Sequence, residues 1–249
     1  MQRYFVQDEH LDGSVSIKGD DYFHMTKVMR MNVGDSIIVV FPNGQSAYCK
    51  ITNISNEKVD VTIVEWENEA RELPVSVTIV SGLPKGDKFE WIVQKGTELG
   101  AQAFIPFMAT RSIVKLDEKK ESKRIERWQK IAKEAAEQSQ RTFIPQVHKP
   151  LQLQEVIELS RKFTHKAVAY EEVAKDGEVK QFSKILSNLK QGDSLLFVFG
   201  PEGGLTAQEI EQFQEHDFHI CGLGPRILRA ETAPLYVLSA VSYQLELSR

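Results

Sequence analysis

The hydrophobic period of this sequence changes at Pro74, and that change limits the folds open to it. Before it, apolar residues come in short β-rich runs: SIIVVF at 36–41, AYCKITNI at 47–54 and VDVTIV at 59–64. Asn43-Gly44 between the first two runs predicts a hairpin, because glycine takes positive φ at no steric cost and asparagine tolerates it. Several short strands with little helix between them predict a small β-barrel over residues 1–72. After Pro74 strand-like runs alternate with amphipathic helices, which predicts an α/β domain over residues 73–249.

In the second region strands are expected at 75–80, 103–108, 166–170, 194–199 and 218–221. One helix places Phe89, Ile92, Val93 and Gly96 on a buried face and Trp91 on the opposite one, where either a neighbouring loop or a second subunit would cover it. A longer helix over about 122–141 turns Ile125, Trp128, Ile131, Ala132 and Ala135 toward the core. Its outer face carries Lys123, Arg124, Arg127, Lys130 and Lys133, which either touch phosphate or keep the helix solvated.

Charge is unevenly spread. Residues 1–72 hold 7 Lys/Arg against 12 Asp/Glu, whereas residues 109–149 hold 11 against 6, so a chain of net charge -4 is locally basic in its middle. No stretch has the apolar core of a signal peptide or the length of a membrane span, so a cytoplasmic protein without a membrane partner is expected. The two cysteines, Cys49 and Cys221, are far apart and lack C-x-x-C spacing, which argues for small buried apolar residues rather than a disulfide or a zinc site.

The chemistry concentrates near the end of the chain. LLFVFGPEGGLTAQEIEQF is a buried strand, a glycine loop and a helix, with Thr206 and Glu209 spaced for a capping box. Gly200, Gly203 and Gly204 let backbone approach a ligand, and the carboxyl end of a strand in an α/β sheet is where ligands sit. A tight structural turn would use the same glycines. The loop lacks the Lys-Ser/Thr of a phosphate loop, and Gly222-Leu223-Gly224 lacks the third glycine of a dinucleotide fingerprint. No G-x-S-x-G occurs. A second loop, CGLGPRILRAETAP, brings Arg226 and Arg229 beside the expected pocket, to meet a ligand or to pair with Glu202 or Glu231. His216-x-x-His219 with Cys221 is not a standard ligand set, and no metal is expected. His10, His24, His148 and His165 are scattered and support no hydrolytic arrangement.

GPEGGLTAQE followed by LGPRILRAETA resembles the SPOUT superfamily, and within it the RsmE group of ribosomal RNA uridine methyltransferases. KGDKFEWIVQKGTELGAQAFIP at 85–106, RW with EAAEQSQR at 127–141, and HMTKVMRMNVGD at 24–35 are also similar to that group, so the resemblance spans nearly the whole chain. Met29 stands where a leucine is commoner.

This resemblance implies a PUA-like β-barrel that helps bind RNA, followed by a SPOUT α/β domain with a trefoil knot, in a homodimer. It implies transfer of a methyl group from S-adenosyl-L-methionine (SAM) to N3 of one uridine, conventionally U1498, of 16S ribosomal RNA, met within the small ribosomal subunit. Under it, Gly200, Pro201, Glu202, Gly203 and Gly204 with Leu223, Gly224, Ile227 and Leu228 hold SAM, and no metal is needed. Arg226 or Arg229 stabilises negative charge on the base, and Glu202 or Glu231 accepts the proton. N3 lies on the pairing edge, so the base must be unpaired, with Arg3, Lys27 and Arg30 set to contact flanking phosphates. Two alternatives stay open: a SPOUT methyltransferase for another RNA position, and a non-catalytic RNA-binding protein on the same fold.

Overall fold

The structure is a computed structural model that describes residues 1–7, 13–69, 71–112, 118–175 and 180–248; His10 and part of the charged stretch after residue 109 lie outside the described residues. The chain divides into two compact units, residues 1–72 with 136–143, and residues 73–135 with 144–249.

The first unit contains β1 (Arg3–Phe5), β2 (Ser14–Lys18), α1 (Gly19–Phe23), which runs on into a π-helical turn (His24–Val28), β3 (Ser36–Val40), β4 (Ser46–Ile54) and β5 (Lys58–Glu67). The sheet order is β1-β3-β4-β5-β2, with β1 parallel to β3 and the other pairs antiparallel. The hairpin expected at Asn43-Gly44 joins β3 to β4, and Asn43 Oδ1 accepts the Gln45 N–H at 2.9 Å. Alternation along the strands sends Ile37, Val39, Ala47, Cys49, Ile51, Val59 and Val61 into one apolar core with Tyr4. The sequence reading missed α1 and its π-helical turn. Met25 is the one residue of the ten that is buried, so there is no apolar stripe to reveal the helix.

Burial also changes the role read for Arg3. Only 1% exposed, it donates through Nη2 to Glu67 at 2.6 Å and through Nε to Gln140 at 3.2 Å. The expectation that Arg3 meets RNA phosphate is therefore corrected: a guanidinium enclosed by its own unit holds that unit together. Lys27 and Arg30 are exposed, and Arg30 has φ 53 in the turn that leaves the helical segment.

The second unit runs β6 (Ser76–Gly82), α2 (Lys88–Glu98), β7 (Ala103–Phe107), α3 (Glu118–Gln138, whose last residues belong to the first unit), β8 (Gln146–Val147), α4 (Leu153–Ser160), β9 (His165–Ala169), α5 (Glu171–Lys175), α6 (Gln181–Asn188), β10 (Ser194–Phe199), α7 (Ala207–Glu215), β11 (His219–Cys221) and α8 (Thr232–Ser242), which ends in a π-helical turn (Tyr243–Leu247). Its sheet is wholly parallel, in the order β11-β9-β10-β6-β7-β8.

Parallel strands covered on both faces read as continuous apolar runs, and β10 shows why. Leu195, Phe197 and Phe199 enter one core with Phe89, Trp128, Ile185 and Leu238, while Leu196 and Val198 enter another with Ile157, Ile210 and Phe213. Trp128 meets Phe89 with ring centroids 4.5 Å apart, which seats α3 against α2. Ile125 and Ile131 are only partly buried at the edge of that contact. Trp91 is 63% exposed, so no loop among the described residues covers it.

Candidate active site

Strands β11, β9 and β10 are neighbours and parallel, so their carboxyl ends open on one edge of the sheet. The Tyr170 N–H donates to Cys221 O at 3.0 Å and holds the ends of β9 and β11 in register. Beyond this edge lies a cavity of about 510 Å³, a size suited to a cofactor-sized ligand.

Both glycine loops line it. Gly200, Pro201, Glu202, Gly203 and Gly204 come from the turn after β10; Leu223, Gly224, Arg226, Ile227, Leu228 and Arg229 come from the turn after β11. The first loop sits where it does because β6 ends in glycine: a Cβ on Gly82 would lie 2.4 Å from Pro201 N, inside any permitted contact. Gly204 has φ +69, which a larger residue adopts only under strain. The capping box read from the sequence then starts α7, with Thr206 Oγ1 accepting the Glu209 N–H at 3.2 Å and Glu209 Oε2 accepting the Thr206 N–H at 2.8 Å. In the second loop, Arg229 O accepts the N–H groups of Thr232 and Ala233 at 2.9 and 3.0 Å, which closes the first turn of α8.

The walls are apolar at Phe199, Leu205, Leu223 and Ala233, and the rim is charged. Arg226 and Arg229 are exposed on the second loop. Arg111, just past the carboxyl end of β7, donates to Gly203 O at 3.1 Å and clasps the first loop. Glu202 Oε1 accepts the Lys85 N–H at 3.0 Å and Lys88 Nζ at 3.2 Å. Burial works to raise the Glu202 pKa, but the Lys85 N–H, its own backbone N–H and the Lys88 ammonium outweigh it and hold the carboxyl below its ordinary value.

The carboxylate of Glu231 is outside the cavity lining, with Oε2 3.5 Å from Lys88 Nζ and accepting no hydrogen bond among the described residues. Lys27, Arg30 and Arg3 belong to the other unit. Lys88 and Arg111 were missed in the sequence. The available signal was position, since both follow closely on the carboxyl ends of strands. Arg127 of the basic helix face pairs with Glu90 at 2.8 Å. His216 Nδ1 lies 2.8 Å from Gln212 O, and no group of three His, Cys, Asp or Glu among the described residues is arranged to hold a metal ion. Cys49 and Cys221 are both buried free thiols. Among the described residues no helix is long and apolar enough to cross a membrane.

The chain has clear relatives. The RNA methyltransferase domain family matches residues 71–242, and the RNA methyltransferase PUA domain family matches residues 17–64. A ribosomal RNA small subunit methyltransferase E from Bacillus subtilis (strain 168) is 56% identical over 253 residues, covering 100% of this chain and 99% of that protein. One from Synechocystis is 32% identical over 243 residues, covering 96% and 76%. The solved structure of the Neisseria gonorrhoeae ribosomal RNA small subunit methyltransferase E bound to S-adenosyl methionine matches with a TM-score of 0.84 and 28% identity, covering 97% of each chain.

Proposed function

We propose, from the premise that this chain belongs to the ribosomal RNA small subunit methyltransferase E family, that it uses SAM to methylate N3 of one uridine in 16S ribosomal RNA. The observation that carries this reading is a cavity lined by both glycine loops, apolar within and charged at its rim, where Lys88, Arg111, Arg226 and Arg229 stand with Glu171, Glu172 and Glu202.

The residues present fit SAM. The absence of a side chain at Gly82 lets the loop after β10 pack closely on the end of β6, that loop lines the cavity, and the apolar walls suit an adenine ring. Gly200 to Gly204, Leu223, Gly224, Ile227 and Leu228 would hold it. When bound, SAM supplies an electrophilic methyl group. The chain must then handle the N3 proton of a poor nucleophile. Arg226 and Arg229, on the cavity lining, would stabilise negative charge on the base, and Glu202, on the same lining, would take the proton. Glu231 acts on the same cluster through Lys88. Lys27 and Arg30, exposed on the PUA-like unit, would contact phosphates flanking an unpaired target base. A trefoil knot in the second unit belongs to the same reading, as does cytoplasmic residence.

The reading includes a homodimer. Trp91 on α2, and Tyr236, Tyr243 and Leu247 on α8 and its terminal turn, are large apolar side chains 43–73% exposed, and α2 and α8 pack together through Gly96 and Leu238. Sedimentation equilibrium of the wild type should give a dimer, and of Trp91→Glu a weakened one.

The deciding experiment is methyl transfer from labelled SAM to small subunits, or their RNA, from a strain lacking the gene, followed by nucleoside analysis. Appearance of 3-methyluridine is the expected result. SAM binding without that product on particles or naked RNA would move the reading to another RNA position or to a binding-only role.

A further inference from the structure

We propose that Lys88 is a further catalytic residue, whose ammonium donates to a carbonyl oxygen of the target uracil beside N3 as the N3 proton leaves. The inference rests on the uridine-N3 reading and adds a residue and a role to it.

The geometry starts from where Lys88 is held. It is the first residue of α2 and lines the cavity, with carboxylates on two other elements fixing its end: Glu202 at 3.2 Å from the loop after β10, and Glu231 at 3.5 Å at the start of α8. An ammonium has three N–H donors. Glu202 takes one and Glu231 at most a second, so at least one is left for a ligand. The other charged groups around the cavity are Arg111, Arg226, Arg229, Glu171 and Glu172. Of the cations, Arg111 is engaged with Gly203 O, and Arg226 and Arg229 stand on an exposed loop. Lys88 is the cation gripped from two sides, and a donor already in place needs no reorganisation as charge develops.

Its protonation suits this role. The hydrogen bond to Glu202 raises the Lys88 pKa above the ordinary lysine value, and Glu231 adds to that against partial desolvation, so Lys88 serves as a charged donor and not as a base. Glu202 is in turn a weak base. Moving a proton from N3 to a weak base requires help from the side of the uracil, and a donor at the adjacent oxygen provides it, because the charge left on N3 spreads onto that oxygen. In the balanced step the N3–H electron pair forms the N3–CH₃ bond and the S–CH₃ pair stays on sulfur. The proton passes to Glu202 and then to solvent.

The test uses the full-length protein, SAM and the small-subunit substrate. Lys88→Met should lose on the order of 100-fold or more in single-turnover rate, the usual cost of removing one such donor, with SAM and RNA affinities little changed. Its pH–rate curve should shift to higher pH. Lys88→Cys alkylated with bromoethylamine, which restores an ammonium, should recover most of the rate and guards against a folding defect. Independently of methyl transfer, 5-fluorouridine placed at the target position should deprotonate at lower pH on the wild type than on Lys88→Met, read by fluorine NMR. A Lys88→Met enzyme with unchanged rate and pH profile overturns the proposal. So does a pH-independent loss matched by loss of SAM affinity, which would make Lys88 a prop for the Glu202 loop. Absence of 3-methyluridine from the wild-type reaction removes the underlying reading and this role with it.

Discussion

The buried carboxylate of Glu209 binds Thr110, 99 residues earlier in the chain, at both its backbone N–H (2.8 Å) and its hydroxyl (3.1 Å). Its other oxygen accepts from the N–H and hydroxyl of Thr206, so one side chain, 3% exposed, ties the end of β7 to the start of α7 and the glycine loop before it.

Four donors therefore lose their acceptor in Glu209→Ala. Hydrogen bonds to a charged group contribute roughly 1.5–3 kcal/mol, so the variant should unfold about 2–3 kcal/mol more easily in denaturant and bind SAM more weakly by calorimetry. Unchanged values for both would mean that water replaces the carboxylate.

Gly82→Ala tests the packing beneath the first loop. The added methyl would lie 2.4 Å from Pro201 N and 2.9 Å from Gly200 C, and neither backbone atom can swing aside. Overpacking of this kind costs about 1–3 kcal/mol of folding stability, and because the strain falls on the loop that lines the cavity, SAM affinity should fall as well. Wild-type binding would show that the loop shifts freely.

Two substitutions separate the arginine inside the first unit from the cations on its surface. Arg3→Met takes from Glu67, whose side chain is 1% exposed, its buried partner and leaves it Arg71 at 3.0 Å and the Ser46 hydroxyl at 2.7 Å, so the loss should be that of one charged hydrogen bond, about 1.5–3 kcal/mol, visible as a lower melting temperature. Lys27→Ala with Arg30→Ala should leave melting unchanged but reduce the slope of log affinity against log salt for single-stranded RNA, by roughly 0.7 for each phosphate no longer neutralised. An unchanged slope would return both residues to ordinary surface.

Acid stability of the first unit should depend on Asp60. The hydrogen bond from Lys58 first, then that from Ser16 directly across the β2/β5 pair, lower its pKa from 3.8 to about 2. A carboxyl with a depressed folded pKa takes up its proton more readily when unfolded. Its contribution is thus complete above about pH 4 and lost as the pH falls toward 2. Urea titrations of Asp60→Asn should show a shallower decline than the wild type across that window. Parallel declines would assign the acid sensitivity to other carboxylates.

What the sequence alone determined was local. The two regions of different period, the buried strand LLFVFG, the Asn43-Gly44 hairpin and the Thr206/Glu209 capping box all depend on residues a few places apart, whose spacing shows directly in the sequence. Resemblance supplied the family from motifs of the same short range. What only the tertiary structure decided was which distant residues meet. Lys88 joins Glu202 and Glu231 because parallel strands place three chain segments at one sheet edge, and Arg111 reaches Gly203 for the same reason. Arg3 looks like any surface cation in sequence, and becomes a buried anchor because Glu67, 64 residues away, comes within 2.6 Å of it. Hydrophobic period reports which face of an element is buried, and it carries no information about which partner waits on that face.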